Sequence, residues 1–145
     1  MGRILAIDPG DKRIGLALSD PSATIASPLR VIEHVSRIVD AAQISAVAAE
    51  MEVVLILVGQ SLDDNGIPSP EGRKAGRLAE AIRQQTVVPV EMWDESFSTQ
   101  TAQQARIAMG VKRAKRRGHM DELAATVILQ SYLEAKSTRS EDEER

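Results

Sequence analysis

Arg3-Ile4-Leu5-Ala6-Ile7-Asp8-Pro9-Gly10-Asp11-Lys12-Arg13-Ile14-Gly15-Leu16-Ala17-Leu18 opens the chain with two short apolar runs on either side of a polar turn. Asp8-Pro9-Gly10-Asp11 is a cluster of turn formers, so residues 3–7 and 14–18 read as the arms of an antiparallel hairpin. A third strand at 29–32 completes a meander, with Pro21 and Pro28 bracketing the connection. Then the pattern changes. Val35, Ile38, Val39, Ala42 and Ala46 recur at helical spacing and predict a helix reaching about Glu50. Residues 53–58 are a continuous apolar run too short for a typical helix, as expected of a parallel strand buried on both faces.

Outward from there the alternation of strand and helix continues. Residues 59–72 form a loop whose strongest turn signal is Asp63-Asp64-Asn65-Gly66. Ala75, Leu78, Ala79 and Ile82 mark an amphipathic helix ending near Gln85, and 87–93 is a strand stopped by Asp94-Glu95-Ser96. Ser98 or Thr99 is placed to cap a helix carrying Ala102, Ala105 and Met109, and 110–118 is a basic loop. A last helix opens at Asp121 with Leu123, Ala124, Val127, Ile128 and Ser131. The expected architecture is α/β: one mixed sheet, antiparallel strands first and parallel strands after, with helices on its faces. Residues 1–135 make a single domain in this reading, and 136–145 a disordered acidic tail.

The composition excludes several classes. With 145 residues, 43% hydrophobic and 27% charged, the chain can bury a sizeable core without staples. It has no cysteine, hence no disulfide framework and no thiolate zinc site, in keeping with a reducing cytoplasm. No apolar run approaches the ~20 residues of a membrane span, and the first residues lack the core of a signal peptide. Trp93, Phe97 and Tyr132 are the only aromatics, too few for a platform that stacks single-stranded bases. The net charge of −3 is unevenly distributed. Residues 137–145 hold four acids and two bases, whereas Arg106, Lys112, Arg113, Lys115, Arg116 and Arg117 lie in a stretch with no acid at all. Such a segment suits phosphate backbones, which Lys and Arg neutralise without reading sequence.

Candidate chemistry sits where strands end or helices begin. Asp8 closes the first strand, Asp94 and Glu95 close the last, and Asp121 opens the final helix. Each also has a structural reading, since Asp before Pro-Gly is a common turn residue and Asp121 can cap a helix. In an open α/β sheet, however, the ligand crevice lies outside the carboxyl ends of the strands. Carboxylates gathered there repel unless a cation neutralises them, and oxygen-only donors suit Mg²⁺ or Mn²⁺. Two such ions about 3.5–4 Å apart are a standard device for phosphodiester cleavage. Alternation puts Asp94 on the face of Val90 and Met92, and Glu95 on that of Glu91 and Trp93. Which face meets the site stays open at this point, so both acids are retained. His34 and His119 read as bystanders.

Residues 8–15 are similar to the first phosphate-binding hairpin of the actin and sugar-kinase ATPases, an architecture of two related domains that 145 residues cannot supply. A fuller resemblance covers residues 3–133. The stretch 7–20, Ile-Asp-Pro-Gly-Asp-Lys-Arg-Ile-Gly-Leu-Ala-Leu-Ser-Asp, resembles the opening motif of the bacterial YqgF/RuvX-like family. Asp94-Glu95-Ser96-Phe97-Ser98-Thr99 resembles its Asp-Glu-Arg-x-Ser/Thr block, and Asp121-Glu122-Leu123-Ala124-Ala125 with residues 128–133 its C-terminal helix. The resemblance implies a ribonuclease H-like fold with a five-stranded sheet, three strands of it antiparallel. It also implies a metal-dependent endonuclease with Asp8, Asp94, Glu95 and Asp121 as its catalytic, metal-binding acids and Mg²⁺ or Mn²⁺ as cofactor. The expected partner is structured RNA, a precursor of 16S ribosomal RNA cut at its 5′ end. The protein is expected as monomer or homodimer. Branched DNA cut by a Holliday junction resolvase, which would need the dimer to cut symmetric strands, is the alternative; a non-catalytic factor binding RNA or the transcription machinery is a third reading. Lys12, Arg13 and the basic residues from Arg106 to Arg117 would hold the backbone. Two departures stand out. Gly59-Gln60-Ser61 replaces the family's usual Gly-Leu-Pro, and Ser96 replaces the arginine, which a serine cannot match as a bidentate phosphate clamp.

Overall fold

The protein is seen in a computed structural model that describes the backbone over residues 2–95 and 120–143, and side chains over 2–95 and 123–137. Phe97, the helix expected from Ser98 or Thr99, the basic segment and His119 lie outside the described residues.

Five strands form one sheet: β1 (Ile4–Asp8), β2 (Arg13–Ser19), β3 (Ala26–Glu33), β4 (Leu55–Gln60) and β5 (Val90–Asp94), in the order β3-β2-β1-β4-β5. The first three make the antiparallel meander, with Ala6 opposite Ala17 and Leu16 opposite Arg30. β4 then pairs parallel to β1 and β5 parallel to β4. The crossovers are α1 (Arg37–Glu50) and α2 (Pro70–Arg83), which lie on one face; α3 (Met120–Glu143) covers the other. This is the mixed sheet with two covered faces that the hydrophobic pattern predicts. The tight hairpin depends on Gly10, because a Cβ there would sit 2.2 Å from the Arg13 carbonyl oxygen.

Strand alternation divides the interior into two cores. Leu5, Ile7, Ile14, Leu16, Ile56 and Val58 meet α1 and α2. Ile4, Ala6, Ala17 and Leu57 meet Ala125, Ile128, Leu129 and Leu133 of α3. Trp93 and Tyr132 anchor α3 to β5: Trp93 Nε1 donates to Ser131 Oγ at 2.9 Å, and the two rings meet edge-on with centroids 5.1 Å apart. Two of the three aromatics are thus spent inside the protein.

Element boundaries differ from the sequence expectation in instructive ways. Val53 and Val54 precede β4, their amides bonded to Ala48 and Arg3 carbonyls, so the strand runs two residues further on, to Gln60. α2 begins at Pro70, five residues before the first apolar marker, because Ser69 caps it and Pro70 suits its first turn. α3 carries on as backbone helix to Glu143, through most of the segment read from sequence as a tail, and Lys136 Nζ lies 5.3 Å from the Tyr132 ring centre.

The largest correction concerns α1. The helix is where the spacing puts it, but its buried face is Asp40, Ala41, Ile44, Val47 and Ala48, not the predicted stripe of Val35, Ile38, Val39, Ala42 and Ala46. The sequence carries two offset apolar stripes. The inward one includes small residues that permit close approach, and its one acid is satisfied: Asp40 accepts from the Val35 amide and from His34 Nδ1. Ile44 is fully buried while Ile38 is 73% exposed. Ile44→Ala is therefore expected to cost about 2–5 kcal/mol in urea unfolding, and Ile38→Ala about 0.5 kcal/mol or less.

Candidate active site

Parallel pairing of β1, β4 and β5 brings their carboxyl ends to one edge of the sheet. Side-chain alternation then decides which acids meet. In β1, Leu5 and Ile7 enter the α1/α2 core and Ile4 and Ala6 the α3 core, so Asp8 follows Ile4 and Ala6 onto the α3 face. In β5, Val90 and Met92 belong to the α1/α2 side and Trp93 to the α3 side. Glu95, two residues past Trp93, joins Asp8; Asp94 goes to the opposite face.

β4 runs between these two strands, and its α3-face positions are Leu55, Leu57 and then Gly59. The absence of a side chain at Gly59 lets the Glu95 carboxyl lean across β4 to hydrogen-bond with Asp8. A Cβ at 59 would come within 2.7 Å of Ile128 Cδ1 and 3.2 Å of Glu95 Oε1. The two acids share an open cavity of about 330 Å³ with Gly59, Ser61 and Glu71. Burial pushes the Glu95 carboxyl above its ordinary pKa, the charge of Asp94 adds to this, and the hydrogen bond from Asp8 opposes it.

The remaining expected residues fall as follows. Asp94 lies opposite Gln60 at the end of the β4–β5 ladder and does not line the cavity. Lys12 and Arg13 are exposed on the β1–β2 hairpin beside it. Asp121 is in the first turn of α3, and its side chain is outside the described ones. The course of that helix can still be followed. Tyr132 reaches Glu91, Ser131 reaches Trp93, and Ile128 lies over Gly59, so α3 runs toward the carboxyl edge of the sheet as it is traced back to its N-terminus. Asp121 stands seven residues before Ile128, about 10 Å of helix further toward that edge. Among the described residues no group of three His, Cys, Asp or Glu forms a metal-binding cluster; Asp8 and Glu95 are a pair.

The acids at strand ends are visible in the sequence, but two features of the cavity are not. Gly59 could have been suspected from a glycine ending an otherwise apolar strand. Glu71 carries no signal of its own, being one acid in the first turn of α2. The unusual Gln60 and Ser61 pin the loop that follows: Gln60 Nε2 donates to the Gly72 carbonyl at 3.0 Å, and the Ser61 carbonyl accepts from the Ser69 amide at 3.0 Å.

Comparison with known proteins adds to this geometry. Residues 2–135 match the family model described as RuvX, Holliday junction resolvase. A protein of Thermoanaerobacter pseudethanolicus, named as a proposed pre-16S rRNA nuclease, is 39% identical over 94% of this chain and 99% of its own. One of Clostridioides difficile with the same name is 37% identical over 93% and 96%. The fold is similar to that of T. thermophilus RuvC in complex with a Holliday junction substrate, with a TM-score of 0.66 and 18% identity over 94% of this chain and 96% of that one. It is also similar to the fowlpox virus resolvase, with a TM-score of 0.58 and 12% identity over 92% and 98%.

The raised pKa of Glu95 has a consequence for stability. The folded state holds this proton more tightly than the unfolded chain, so without divalent ions the contribution is full below the ordinary glutamate value and is lost as pH rises through the raised one. Glu95→Gln keeps a neutral group in the same place. Its melting temperature is expected to exceed that of the wild type at pH 7–8 in EDTA, with the difference shrinking toward pH 4, as thermal melts across pH will show.

Proposed function

This chain belongs to the RuvX family, and on that premise we propose that it is a metal-dependent endonuclease whose substrate is the precursor of 16S ribosomal RNA. The observation that carries the reading is the pairing of Asp8 and Glu95 across Gly59. Two carboxyls in one partly buried cavity are held together at a cost that a cation removes. Their donors are all oxygen, which fits Mg²⁺ or Mn²⁺ and not a soft metal. Asp8 and Glu95 would hold the ion, with Asp121 as the third acid, supported by the course of α3. A bound divalent ion supplies Lewis-acid polarisation of the scissile phosphate and a water nucleophile available at neutral pH.

The chain's own residues do the rest. Asp8 and Glu95 fix where the attacked phosphorus must sit, at the carboxyl edge of β1 and β5. Asp94, on the other face, is read as acting on Glu95 through its charge, not as a ligand. Ser61 and Glu71 border the same cavity and orient what enters it. Lys12 and Arg13, with Arg106, Lys112, Arg113, Lys115, Arg116 and Arg117, neutralise the flanking backbone. The scarcity of exposed aromatics favours a structured strand gripped by its phosphates over a single strand gripped by its bases. No described helix is long and apolar enough to cross a membrane, which is in keeping with work on ribosomal precursors in the cytoplasm. The family description also admits a four-way DNA junction as substrate, for which a homodimer would present two symmetric sites.

Asp8→Asn and Glu95→Gln are each expected to lower the cleavage rate of a 16S precursor fragment on the order of a hundredfold or more. Asp94→Asn is expected to lower it far less. Precursor RNA and four-way junction assayed side by side, with Mg²⁺, Mn²⁺ or EDTA, check both the chemistry and the substrate. Gly59→Ala separates geometry from charge: its methyl displaces Glu95, so cleavage should fall at least tenfold although every acid is present.

A further inference from the structure

A second and larger cavity, about 510 Å³, opens on the other side of Pro9, between the β1–β2 turn, the start of α1 and the outer side of α2. Arg37, Lys74, Arg77 and His34 line it, and its lining contains no Phe, Tyr or Trp. α2 separates the two cavities by its own periodicity: Glu71 and Ala75 border the carboxylate site, while Lys74 and Arg77 border this one. Pro9 belongs to the wall of both.

The charge of this cavity is arranged and not merely present. Asp40, 2% exposed, accepts from the Val35 amide at 3.0 Å and from His34 Nδ1. Its carboxylate is therefore satisfied inside the protein, and the imidazole ring is held against it through Nδ1. Ser36 caps α1, so the positive end of that helix adds to the guanidinium of Arg37 at its first position. The other acid in the lining, Asp11, pairs with Lys74 at 3.4 Å, but both side chains are exposed, at 78% and 63%. Such a pair is worth about 0–1 kcal/mol and yields to a stronger anion.

We propose that this cavity is a phosphate site that holds a backbone phosphate of the substrate strand apart from the one being cut. The proposal rests on the nuclease reading above and deepens it. The shared wall at Pro9 lets one strand pass from the carboxylate cavity into the basic one. The volume is in the range of small-ligand sites and admits a phosphate with its flanking sugar. The lack of aromatics in the lining points to backbone contact without base readout. Arg37 and Arg77 supply forked donors that match phosphate oxygens, and Lys74 a point charge that leaves Asp11 on binding.

The test uses the full chain in EDTA, so that binding is read apart from cleavage. Affinity for a fluorescent 16S precursor fragment is measured over a salt series for wild type, Arg37→Ala/Arg77→Ala and Lys74→Ala, with thermal melts to confirm folding. All three positions are exposed. The salt slope is expected to fall by about one for each phosphate that the variant no longer neutralises, with weaker binding at every salt. Asp11→Asn is expected to tighten binding in the wild type and to have no effect alongside Lys74→Ala. Equal slopes and affinities for folded variants overturn the proposal, as does a wild type that binds inorganic phosphate but no strand. A wild type that binds the strand with the expected slope differences yet never cleaves it once Mg²⁺ or Mn²⁺ replaces EDTA upholds the phosphate site and removes the nuclease reading.

Discussion

Two carboxyls that would repel in water are held side by side at the end of a parallel sheet, and the rest of the architecture serves to keep them there. Asp8 and Glu95 come from strands that are not neighbours, separated by β4. They meet because β4 offers hydrogen at Gly59 where any other residue would offer a side chain. A buried carboxyl that costs energy in the free protein and is relieved by a ligand belongs to a binding site and not to a stability element. The raised pKa of Glu95 records its burial, to which the charge of Asp94 adds.

The two faces of the sheet divide the labour. On one side α1 and α2 pack against the larger apolar cluster and frame the basic cavity beyond Pro9. On the other, Trp93, Ser131, Tyr132 and Glu91 fasten α3 to β5 and point its first turn toward the carboxylates. The aromatic residues that do not face nucleic acid are thus the ones that aim the helix carrying Asp121. Lys12 and Arg13 are exposed on the hairpin that follows Asp8, and Arg37, Lys74 and Arg77 line the cavity beyond Pro9.

The sequence made much of this legible, because it expresses strand ends directly. Apolar runs stopped by Asp8 and Asp94-Glu95 locate the edge, and the continuous apolar run at 53–58 marks a parallel strand buried on both faces. The choice between Asp94 and Glu95 was not legible, since alternation fixes relative faces but not which face α3 will cover. The buried face of α1 was misread for a related reason: two apolar stripes compete on that helix, and the winner includes Asp40, whose hydrogen bonds appear only once His34 and Val35 fold against it. The basic cavity had no linear signature, because Arg37, Lys74, Arg77 and His34 come from the β3–α1 turn, the start of α1 and α2.

The proposed function requires Asp8 and Glu95 to share one cation. Crystals soaked in Mn²⁺, with anomalous difference maps calculated at the sheet edge, test this most directly. The expected result is a peak between the two side chains, about 2.1 Å from a carboxylate oxygen of each, with their mutual hydrogen bond broken. Crystals saturated with Mn²⁺ in which the two carboxyls remain hydrogen-bonded to each other, with no peak between them, would contradict it.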